Sequence, residues 1–117
     1  MNVYAFDVDE TLEVSGGPVT LASMMDLRVA GHIVGICGNW AAFCQRVQGW
    51  HNLVSFMNVG TPDKETPLIE LKRYVPADDY VLVGNIFGVS GASDDAGAAA
   101  RAGWRFIKES DFAEGKR

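Results

Sequence analysis

Short apolar runs alternate with helix-period segments along this chain, and that alternation predicts an α/β fold, a doubly wound parallel sheet with helices on both faces. Two further observations support it. Tyr80-Val81-Leu82-Val83-Gly84 is a continuous apolar run of the kind found in parallel strands buried on both faces. The 117 residues show no internal repeat, low-complexity tract or linker, so residues 1–117 are expected to form one domain.

Taken in order, Val3 to Phe6 supply a first strand, and Glu13-Val14-Ser15-Gly16-Gly17-Pro18 a turn, because paired glycines and a proline punctuate the chain there. From Thr20 to Ala30, Leu21, Met24, Met25, Leu27 and Ala30 recur at helical spacing, and Gly31 sits where a left-handed cap is expected. Both methionines read as core filler. His32 to Cys37 make the second strand, and Asn39 caps a helix carrying Trp40, Phe43, Val47 and Trp50, whose spacing reads as core, with stacking on a substrate ring as the alternative for Trp40. Leu53 to Val59 supply the third strand, followed by a loop over residues 60–65. Thr66 reads as the cap of a helix with Pro67 at its first position, where a missing N–H costs nothing, so Lys64 falls just before a helix start. Tyr80 to Gly84 form the fourth strand, Ile86 to Ala92 a loop, and Ser93 to Ala102 an alanine-rich helix ended by Gly103. Trp104 to Ile107 complete the sheet, and residues 110–117 add a helical turn or fray.

Composition narrows the function classes. Hydrophobic residues at 48% and charged residues at 21% match globular chains and exclude disordered or fibrous ones. A formal charge of −5 argues against broad binding to nucleic acid or anionic membrane. No apolar run spans a bilayer and no signal-peptide pattern opens the chain, so a cytoplasmic protein is expected. Cys37 and Cys44 fit no metal spacing and read as thiols in a reducing compartment.

The chemistry gathers at Asp7 and Asp9. On an extended strand residues i and i+2 project to one side, so both carboxylates are expected in one small volume. Such a pair repels unless a cation lies between its members or one is protonated, which points to a hard ion, Mg²⁺, held by oxygen ligands. A carboxylate also attacks phosphorus.

With Thr11 and Leu12 these acids form Asp7-Val8-Asp9-Glu10-Thr11-Leu12, which resembles the first motif of the haloacid dehalogenase superfamily of phosphotransferases, an Asp-x-Asp-x-Thr after the first strand. The resemblance extends over nearly the whole chain and implies strand order 5-4-1-2-3, with Asp7 as nucleophile and metal ligand and Asp9 as acid and base. Three further motifs depart from the family pattern. Gly38 stands where the second motif has Ser or Thr, leaving the backbone of Gly38 and Asn39 to hold a phosphoryl group. Lys64 is the counterpart of the third-motif lysine, and its alternative is an ordinary solvated charge. Gly84-Asn85 replaces the fourth motif's Gly-Asp, and Asp95 matches that motif's second acid, so the implied metal set is Asp7, Asp9, Asn85 and Asp95. At a helix start Asp94 and Asp95 also read as capping acids.

About twenty residues separate the first motif from the second strand, and no insertion follows the third, so the family's cap subdomains are absent. An open site calls for an exposed phosphoester, small or macromolecular, or for a lid from a second copy in a homo-oligomer. The expected activity is Mg²⁺-dependent hydrolysis of a phosphomonoester. The alternative is a domain of the same fold that has lost turnover and serves binding or assembly.

Overall fold

The structure, a computed structural model, describes residues 1–58, 64–89, 91 and 94–117. Its strands are β1 (Asn2–Phe6), β2 (Ile33–Cys37), β3 (Phe56–Asn58), β4 (Asp79–Gly84) and β5 (Arg105–Lys108). They form one all-parallel sheet in the order β3-β2-β1-β4-β5, which counted from the β5 edge reads 5-4-1-2-3. The helices are α1 (Leu21–Val29), α2 (Trp40–Arg46), α3 (Trp50–Leu53), α4 (Glu65–Tyr74), α5 (Asp95–Ala102) and α6 (Glu109–Ala113). Among the described residues, no helix is long and apolar enough to cross a membrane.

Side-chain alternation on the strands sorts the core into two layers. Tyr4, Phe6, Val34, Ile36, Val81 and Val83 pack with Met24 and Leu27 of α1, Phe43 of α2 and Phe112 of α6. Val3, Ala5, Cys37 and Leu82 pack with Leu68 of α4 and Ala99 and Ala102 of α5. Burying both faces is what the unbroken apolar runs of β1, β2 and β4 demand. β1 lies in the middle of the sheet, and the Asp7 amide extends its ladder by one rung, donating to the Val83 carbonyl at 2.9 Å.

Several boundaries differ from the sequence reading for identifiable reasons. The segment after Asn39 is two short helices, because Gly49 takes a left-handed conformation (φ 76°) and turns the chain between them. Leu53 consequently ends α3, and the third strand begins only at Phe56. α4 starts one residue after Lys64, its N-cap, and Pro67 falls third in the helix, still within the turn whose N–H groups have no intrahelical acceptor. Asp94 caps α5 by accepting from the Gly97 amide at 3.1 Å. The expected strand end at Val59, the loop 60–63 and the Ser93 cap lie outside the described residues. Met25 is not core filler, since it is exposed while Met24 is buried. Residues 109–113 form helix α6.

Candidate active site

The carboxyl ends of β1, β2 and β4 bring together most of the residues singled out in the sequence. Asp7 follows β1 and continues its alternation toward the α4–α5 layer, where its side chain is 6% exposed. Lys64, at the start of α4, reaches back over the sheet. Its ammonium lies 3.0 Å from Asp7 Oδ1 and 2.5 Å from Asp95 Oδ1. Asp95, the first residue of α5, is fully buried, and its other oxygen accepts the Asn85 amide at 2.8 Å. Lys64 is therefore no solvated loop charge; its side chain is 9% exposed and clamped between two acids.

Gly84 shows how closely Asp95 approaches the strand. A Cβ at that position would lie 2.3 Å from Asp95 Oδ2, so only glycine admits the carboxylate against β4. Of the two acids at the start of α5, Asp94 caps the helix and Asp95 turns inward to Lys64 and Asn85.

Two ionised carboxylates facing one ammonium leave an excess negative charge in a buried place, which needs either a proton or a second cation. Burial is the main cause that pushes the Asp7 carboxyl up from 3.8 to about 6; Lys64 opposes the rise, and the charge of Asp95 adds to it. For Lys64, burial works against the charged form, but Asp7 and Asp95 together outweigh it and raise its pKa. Burial likewise pushes the Cys37 thiol up to about 12, with Lys64 opposing.

The Asp7 carboxylate also accepts a backbone hydrogen bond from Val8, and further oxygens gather beside it. The Thr11 hydroxyl, fully buried, lies 3.2 Å from Asn85 Oδ1 and 3.5 Å from Asp7 Oδ2. It has a single proton to give, and the contact to Asp7 is at the outer limit of a hydrogen bond. Asp7 Oδ2 and Asn85 Oδ1 thus converge on one hydroxyl, a donor set of hard oxygens with net negative charge that fits a Mg²⁺ ion. Asp95 has both oxygens engaged by Lys64 and the Asn85 amide. Among the described residues, no group of three or more His, Cys, Asp or Glu is placed to hold a metal.

Asp9 lies beyond the extended stretch from which strand alternation predicts its direction. β1 ends at Phe6, and the amides of Thr11 and Leu12 both donate to the Val8 carbonyl at 3.1 Å, so the chain coils directly after Asp7. Glu10 completes that coil with a positive φ of 60°. Asp9 is left exposed at the rim, where the Asn39 side-chain amide contacts both of its oxygens at 3.4 Å. Asn39 also caps α2, accepting from the Ala42 amide at 3.4 Å.

Gly38, between the two acids, has φ 154°, and a Cβ there would come within 2.6 Å of Asp7 Oδ1. A serine or threonine hydroxyl therefore has no room while Asp7 holds Lys64. The Gly38 amide donates to the Asn58 carbonyl at 3.0 Å, so it is spent on the sheet and unavailable to an anion. The sequence reading of Gly38 and Asn39 as a pair of free backbone donors is corrected for Gly38.

Three features were not assigned from sequence. Thr11 was recognised as part of a motif without a role, and it bridges Asp7 and Asn85. Trp40 was read as core and is 41% exposed. The Asn58 side-chain amide nitrogen is buried without a hydrogen-bond partner among the described residues, and nothing in the sequence around it signals this.

Compared with known proteins, the chain matches no family model, no curated protein and no solved structure.

Proposed function

We propose that this protein is a Mg²⁺-dependent phosphohydrolase of the haloacid dehalogenase type, hydrolysing an accessible phosphomonoester through an aspartyl-phosphate. One observation carries the reading: two buried acids, Asp7 and Asp95, share a single ammonium beside the oxygens of Thr11 and Asn85, at the tip of the central strand. That arrangement leaves a negative, oxygen-lined place where a cation and a phosphoryl group satisfy what the protein does not.

In this reading a carboxylate oxygen of Asp7 attacks phosphorus and the ester P–O bond breaks. Asp9, at the rim, gives its proton to the departing oxygen. It then takes a proton from a water molecule whose oxygen attacks the same phosphorus, releasing phosphate and restoring Asp7. Lys64 fixes the orientation of Asp7 and offsets charge on the phosphoryl oxygens, while Asp95 positions Lys64. Asp7 and Asn85 are the side chains that would hold the metal, and Mg²⁺ bound there would supply positive charge to the phosphoryl oxygens in the transition state.

The Gly38 turn offers no hydroxyl and has its amide engaged. Loss of one such donor costs about 10²–10³ in kcat, so turnover is expected to be slow. The same observation favours the second reading, a domain that keeps the fold and serves binding. Wild type, Asp7→Asn and Asn85→Asp assayed on an aryl phosphate with Mg²⁺ separate the two. Hydrolysis abolished by Asp7→Asn and raised by Asn85→Asp supports the enzyme; no Mg²⁺-dependent hydrolysis by any of the three overturns it.

A further inference from the structure

Exposed apolar side chains such as Met25, Val29, Ile69 and Tyr74 are scattered over helices, as on any protein surface. Two others are placed differently. Trp40 opens α2, 41% exposed, and belongs to neither core layer. Its amide donates to the Gly38 carbonyl at 2.8 Å, which fixes it two residues from the glycine that abuts Asp7 and one from the asparagine that contacts Asp9. Phe87, 65% exposed, follows Asn85 on the loop after β4. That loop folds back on the site, for a Cβ at Gly91 would lie 2.9 Å from Asn85 Cβ and 3.0 Å from Glu10 Oε2. Trp40 and Phe87 thus follow β2 and β4, the two strands that flank the one that carries Asp7. Among the described residues, neither ring stacks on another aromatic side chain.

We propose that Trp40 is a stacking platform for the leaving group, with Phe87 supplying a second ring, and that the substrates are monophosphates of a planar aromatic or heteroaromatic group. The inference rests on the reading of Asp7 as phosphoryl acceptor. A flat ring suits an exposed indole because stacking buries both faces without demanding hydrogen bonds. The charge at the rim sets the number of phosphates: Asp9 and Glu10 are both exposed there, and a leaving group bearing further phosphates is repelled.

The test uses the full chain carrying Asp7→Asn, which binds without turnover, with Mg²⁺ and three probes: adenosine monophosphate, phenyl phosphate and glycerol phosphate. Calorimetric titration is expected to give the ring-bearing probes a Kd about tenfold or more below that of glycerol phosphate. Adding Trp40→Ala removes that preference and leaves glycerol phosphate unchanged, Trp40→Phe retains most of it, and adenosine diphosphate binds more weakly than the monophosphate. The tighter of the two ring probes tells a nucleotide from a simple aryl ester. Equal affinity for all three probes, binding of none, or a Trp40→Ala loss common to all three overturns the proposal. Turnover by the protein with Asp7 intact separates the two readings. Ring preference without hydrolysis of any probe refutes the phosphatase and leaves the platform, whereas hydrolysis of all three regardless of Trp40 does the reverse.

Discussion

Replacing the proposed nucleophile should make the protein more stable. Asp7 is buried beside Lys64 and Asp95, and its carboxyl stands at about 6 instead of 3.8. At 1.36 kcal/mol per unit, ionising it in the fold costs about 3 kcal/mol relative to the unfolded chain. Because the folded form has the higher pKa, it binds the proton more tightly than the unfolded form between 3.8 and about 6. Wild-type stability therefore falls as pH rises through that window, and the whole penalty is present above it. Asp7→Asn keeps an oxygen to accept from Lys64, removes the excess charge and leaves Lys64 and Asp95 matched one to one. In urea unfolding with EDTA, the variant is expected to exceed wild type by about 1–3 kcal/mol near neutral pH and by little at about pH 4. Mg²⁺ should narrow the gap at neutral pH by stabilising wild type more than the variant, whose amide oxygen brings no charge to the ion. A variant no more stable than wild type at neutral pH, or a difference that does not change with pH, would refute the reasoning and show that Lys64 already neutralises Asp7.

Two other substitutions probe the same cluster. Lys64→Met keeps the stem and removes the charge from between two buried acids, and is expected to cost about 3–5 kcal/mol in urea unfolding at neutral pH. The loss should shrink in acid as Asp7 takes up its proton; a loss below about 1 kcal/mol would mean that the pair is solvated. Gly38→Ser restores the hydroxyl that the resembled family uses, but its Cβ falls 2.6 Å from Asp7 Oδ1 at a φ of 154°. It is expected to lower stability by about 1–3 kcal/mol without raising turnover, and a faster, equally stable Gly38→Ser protein would contradict the geometry.

The sheet was legible in the sequence because parallel strands buried on both faces are unbroken apolar runs, and β1, β2 and β4 are such runs. Helix breaks were harder to see. The apolar spacing from Trp40 to Trp50 suits one continuous helix, and the extended backbone at Val47 with the left-handed Gly49 reveals the turn between α2 and α3. Asp7 was found from its place after an apolar strand, and Lys64, Asn85 and Asp95 from the resemblance of their surroundings to family motifs, but their pairing is long-range. Lys64 and Asp95 are 31 residues apart, and no local pattern states that one ammonium serves two acids. Alternation alone does not set the direction of Asp9, because it holds only while the chain is extended, and here the chain coils one residue beyond Phe6. Trp40 has core-like spacing, yet its place at the first turn of α2 leaves it at the lip of the sheet rather than over it.

The amide of Asp7 is tied to Val83 on the neighbouring strand, and its carboxylate is tied to the first turn of α4. Under the proposed function, the side chain that would meet the substrate is thus immobilised while the polypeptide folds, before any ligand arrives. Ordering entropy for that group is already spent when an encounter occurs, so the remaining search for reactive alignment belongs to the incoming molecule and to the loops around it.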